Sequence, residues 1–135
     1  MSDSTYQFLK SAYWAIFLAK PLWYTLLLLF ARKRLAEPAS IGRLVLGALG
    51  RVALGLTFVL VMTHGSTDEV NLFNATFARF VVLAMHGSLC WFVIMKLMFR
   101  RSAASALFNM AVLAELASLV IDAPLTYLIG EFHFC

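Results

Sequence analysis

Four charge-poor stretches of membrane length, separated by short polar joints, leave this chain very few ways to fold. About twenty apolar residues in a helix cross the hydrocarbon core of a bilayer. Inside that core each backbone polar group must be satisfied within its own segment, which makes the helix the natural form of such a run. The expected spans lie at about 11–31, 44–63, 77–99 and 103–128. The chain has 135 residues, of which 62% are hydrophobic and 13% charged, and its mean hydropathy is +0.85. A soluble domain of that length could not hide so much apolar surface. The fold class expected is therefore an all-α integral membrane protein. It comprises four transmembrane helices in an antiparallel bundle with short connecting loops, forming one transmembrane domain.

The ends of the spans give an orientation. Arg32, Lys33, Arg34 and Arg43 flank the joint between spans one and two, and Lys96, Arg100 and Arg101 flank the joint between spans three and four. The polar joint from His64 to Thr76 contains acids but no Lys or Arg. Positive joints stay on the cytoplasmic side, so loops 32–43 and 100–102 are expected there, with both termini outside. A bacterial inner membrane is the expected location. The same rule accounts for the formal charge of +4 and pI near 9.4 without a nucleic-acid partner. The N-terminal residues lack a basic region before the first apolar run, and Lys20-Pro21 interrupts that run, so no cleaved signal peptide is expected. Pro21 predicts a kink, because it cannot donate to the carbonyl of Phe17. Tyr13-Trp14 reads as an interfacial pair and Trp23-Tyr24 as a packing pair. Asn74-Ala-Thr76 matches a glycosylation sequon but hugs the membrane, and is read as chance.

Ionisable residues inside the spans are the candidate functional groups, because a charge in hydrocarbon is costly and faces protein or water. Glu115 sits near the middle of span four; Ser118 and Asp122 follow on the same helical face. Span three carries Arg79, His86 and Cys90 as a polar stripe. Span two carries Arg51 between Gly47 and Gly55, and with Gly50 these glycines form a small-residue seam for helix packing. At about 1.5 Å per residue from the basic ends, Lys20 falls at roughly 17 Å, Glu115 at 18 Å, His86 at 20 Å and Arg51 at 11 Å. Arg79 and Asp122 match near 30 Å. The expected arrangement is a central cluster of Glu115, Lys20 and His86 with an outer Arg79–Asp122 pair. Arg51 either reaches up to the cluster or snorkels to the headgroups.

Three functions are compatible with these residues. Opposite charges on separate helices can fix register and partner choice in a membrane subunit that assembles with other chains or with copies of itself. This non-enzymatic accessory role is the leading expectation. The alternative is a small oligomeric ion- or proton-coupled transporter or channel, with Glu115 as the binding group and His86 as a relay. Catalysis is the weakest reading. His86 and Cys90 lie one turn apart but read as packing residues, and no hydrolase, nucleotide or metalloprotease motif is present. His64 and His86 differ too much in depth for a haem. Neither Cys90 nor Cys135 has metal or disulfide spacing, so no metal or cofactor is expected.

Overall fold

The structure is a computed structural model that describes the backbone of residues 3–64 and 76–133, with side chains for 4–57, 81–82 and 84–121. It holds four helices: α1 (Asp3–Leu35), α2 (Ile41–His64), α3 (Thr76–Met98) and α4 (Ala104–His133). No strand occurs among the described residues. Among the described residues, two helical segments are long and apolar enough to cross a membrane. They are Ser4–Leu35, whose most apolar 18 residues have a mean hydropathy of 1.6, and Ala104–Ile121, with mean hydropathy 1.8. The described apolar part of α3, Ala84–Met98, is shorter.

Local chemistry sets the helix ends at the basic joints. Arg32, Lys33 and Arg34 occupy the last turn of α1, where cations complement the negative end of the helix dipole. Ala36 then takes a left-handed φ of 51° and Pro38 follows, so the helix cannot continue. Ser40 caps α2: its hydroxyl accepts the Arg43 N–H at 3.3 Å, and its carbonyl accepts the Leu44 N–H at 3.1 Å. The joint before α4 is tied to the first joint by Glu37. The Glu37 carboxylate accepts the Arg101 N–H, the Ser102 N–H and the Ser102 hydroxyl at 3.1, 3.1 and 2.8 Å. The polar joint 65–75, with its sequon residue Asn74, lies outside the described residues.

α1 and α3 each pack on both α2 and α4, so the helices close into a ring around a common interior. Tyr24 and Leu28 of α1, Leu44 and Ala48 of α2, Trp91 and Met95 of α3, and Leu107 and Ala111 of α4 are all fully buried there. The glycine seam of α2 is used within the chain. A Cβ on Gly47 would meet the Met98 sulfur and, at 3.1 Å, Leu28 Cδ1. One on Gly50 would meet Ile94 Cδ1 at 3.2 Å. These glycines let α2 approach its neighbours closely.

α1 continues unbroken as a helix through Pro21, and the Thr25 hydroxyl donates to the Pro21 carbonyl at 2.7 Å. Trp23 and Tyr24 are packing residues: Tyr24 is in the core, and Trp23 Nε1 donates to the Ala117 carbonyl of α4 at 3.1 Å. Trp14 is half exposed, in an edge contact with Tyr13 at 5.5 Å.

Candidate functional site

A charged pair closes the interior of the ring. Arg51 of α2 donates from Nη2 to Glu115 Oε2 of α4 at 3.0 Å, and the two residues are only 5% and 3% exposed. Ser118, one turn beyond Glu115, lies 2.9 Å from the Glu115 carbonyl and 3.1 Å from Oε2, and its hydroxyl can donate to either. α1 and α3 contribute aromatic faces. The Arg51 guanidinium carbon is 5.5 Å from the Tyr24 ring centroid and 5.6 Å from that of Trp91. The two rings meet edge to face at 5.1 Å. One guanidinium thus contacts all three other helices. Coulomb attraction is strengthened where water is excluded, and each desolvated ring contact adds about 1–2 kcal/mol.

The geometry depends on a glycine. A Cβ at Gly87 of α3 would collide with the Glu115 carboxyl group, so only a residue without a side chain admits the acid at this level. On the neighbouring turn, Cys90 Sγ lies 3.5 Å from His86 Nε2, and Cys90 is a free, buried thiol. Two buried donors, Arg51 Nε and Trp91 Nε1, have no hydrogen-bond partner among the described residues. Among those residues no three His, Cys, Asp or Glu side chains converge as a metal site.

The sequence had aligned Lys20 with Glu115; Arg51 is the base seen bonded to it. The Lys20 ammonium lies 5.9 Å from the Tyr24 ring centroid, on a ring that also faces Arg51. Arg51 comes to the level of Glu115 because of where the helices begin. Because α2 starts at Ile41 and α4 at Ala104, Arg51 and Glu115 stand roughly 15 and 17 Å from those ends. Because α1 continues to Leu35, Lys20 moves to roughly 22 Å. His86, counted from Met98, falls at roughly 18 Å, close to the level of the pair. Arg79 and Asp122 belong to α3 and α4, but their side chains lie outside the described residues, as does any contact between them.

Gly87 and Trp91 are the site residues that sequence reasoning missed. A glycine next to His86 at the depth of Glu115 was the available signal. Compared with protein-family models, curated proteins and solved structures, the chain matches none.

Proposed function

We propose that this chain is a four-span integral membrane protein with antiparallel helices and both termini outside. In this reading it is a non-enzymatic subunit that assembles with other membrane chains or with copies of itself. The observation that carries the reading is a charged pair buried inside a ring of helices whose outer faces are apolar. Leu18, Leu22, Leu26 and Phe30 recur every fourth residue on α1 and are 51–72% exposed. Met85, Leu89, Val93 and Leu97 do the same on α3 at 49–64%. Leu46 and Leu49 of α2 and Leu113, Leu116 and Val120 of α4 are exposed too. An apolar surface on every helix around a buried Arg–Glu pair suits hydrocarbon surroundings.

Satisfaction of Glu115 favours a structural role over ion coupling. Its carboxylate already has a guanidinium and a hydroxyl within hydrogen-bond reach, and a carried cation would have to displace Arg51. Native mass spectrometry of the chain extracted from its own membranes tests the proposal. Co-isolation with different membrane chains, or a defined homo-oligomer without flux, supports a subunit. A homo-oligomer that moves protons or cations in liposomes, and loses that flux in Glu115→Gln, would overturn it in favour of transport.

A further inference from the structure

A depression of about 720 Å³ opens at the basic end of the helices, and Arg32, Glu37, Ser40 and Arg43 line it. Both arginines are anchored without being used up. Arg32 Nη1 donates to the Ala39 carbonyl at 2.9 Å, and Arg43 Nη2 donates to the Leu97 carbonyl at 3.1 Å. A guanidinium has five N–H donors, so one tether fixes its position and leaves others for an anion. The Glu37 carboxylate, by contrast, is turned to the joint before α4 by the three hydrogen bonds from Arg101 and Ser102. Two arginines and one carboxylate leave a formal charge of +1 around the depression, the counterpart of a phosphodiester monoanion. Apolar surface is close by: Ile41, next to Ser40, is 64% exposed.

We propose that this depression binds the phosphodiester headgroup of an anionic phospholipid. Arg32 and Arg43 grip the phosphate, and the acyl chains run along the apolar face beyond Ile41. The inference rests on the membrane reading above, which places this end of the helices at headgroup depth. It assigns the lipid contact to two particular arginines and not to the basic joints as a whole. Each cation near an anionic headgroup is worth about a fivefold change in binding, so losing both weakens it roughly thirty-fold.

The test uses the full chain in nanodiscs of phosphatidylcholine containing a minority of phosphatidylglycerol. Phosphatidylglycerol retained after gentle detergent extraction is counted by native mass spectrometry. Arg32→Gln/Arg43→Gln is expected to lose retention roughly thirty-fold, while Lys33→Gln/Arg34→Gln, with the same charge removed from the same joint but neither side chain lining the depression, loses clearly less. Arg43→Gln alone, at an exposed side chain, gives an intermediate loss and guards against misfolding of the double variant. Equal losses in the two double variants would overturn the site and leave only diffuse attraction. Excess inorganic phosphate at constant ionic strength is expected not to displace the lipid; displacement would assign the depression to free phosphate instead. If the chain does not enter nanodiscs, the membrane reading falls and takes this proposal with it. Entry with equal losses defeats the headgroup site alone.

Discussion

Two acids organise this molecule in opposite surroundings. Glu115 is bonded to Arg51 in the interior, 3% exposed, with two aromatic rings against the same guanidinium. Glu37 accepts backbone and hydroxyl protons at the open basic end. Each joins parts of the chain 64 or 65 residues apart. The difference lies in what remains if the acid is removed. Without Glu115 a guanidinium is left charged in a dry interior, whereas the donors around Glu37 can turn to water. The same hydrogen-bond chemistry therefore ties two helices in the interior in one place and only trims a joint in the other.

The largest effect should come from separating the interior pair. Glu115→Ala is expected to cost about 3–5 kcal/mol of stability, because a buried partnerless charge is worse than no charge. Glu115→Leu/Arg51→Met should recover most of that loss, as apolar side chains of similar volume replace the pair. Glu115→Ala/Lys20→Met, set beside it, reads how much of the loss belongs to the lysine matched by depth in the sequence. Unfolding midpoints of the purified chain in mixed micelles check all three. Equal losses in the Arg51 double variant and the single variant would remove the basis for a clasp.

That contrast also shows what the sequence could and could not reveal. Apolar run length announced four helices, and the basic triplet stood at the end of α1, which runs on through it to Leu35 instead of stopping at 31. The Ser40 cap was less visible: it starts α2 at Ile41, three residues before the span expected from hydropathy. Those three residues move Arg51 by roughly 4–5 Å, enough to bring it near the level of Glu115. Depth alone also gives no rotation about the helix axis, so it could not rank Arg51 against Lys20. The role of Gly87 was only partly legible, for another reason. A glycine acquires its meaning from the side chain that crosses it, and that crossing belongs to the tertiary structure.

Gly87→Ala is accordingly the next largest effect. Its new methyl would occupy the place of the Glu115 carboxyl group, so either the acid turns away from Arg51 or α3 and α4 separate. An overpacked contact of this kind costs about 1–3 kcal/mol. If Glu115→Leu/Arg51→Met is already present, the smaller demand for exact placement should shrink the penalty. A penalty unchanged in that background would mean that Gly87 serves backbone packing only. Gly47→Ala comes below it, at about 1 kcal/mol, because the nearest obstacle is the sulfur of Met98, the far part of a flexible side chain. The same micelle unfolding series orders the two glycines, and a larger loss at Gly47 would reverse the ranking of interior clasp over glycine seam.

The smallest effect is expected at Glu37, and pH isolates it. Partial desolvation pushes its carboxyl group upward, but the N–H groups of Arg101 and Ser102, the Ser102 hydroxyl and the Arg101 charge outweigh it and hold the group below its ordinary 4.5. A carboxylate depressed on folding contributes stability above its unfolded value, and that contribution disappears as pH falls through the folded value. Wild type should therefore be slightly more stable than Glu37→Gln near neutral pH. The gap should stay constant down to about pH 4.5 and close below it, since protonation makes the acid resemble the amide. Unfolding midpoints of both proteins across that range provide the measurement. A gap that is independent of pH would mean that Glu37 holds the joint by shape and hydrogen bonding, with its charge playing no part. A gap as large as that of Glu115→Ala would mean that the open end, and not the interior, sets the register of the helices.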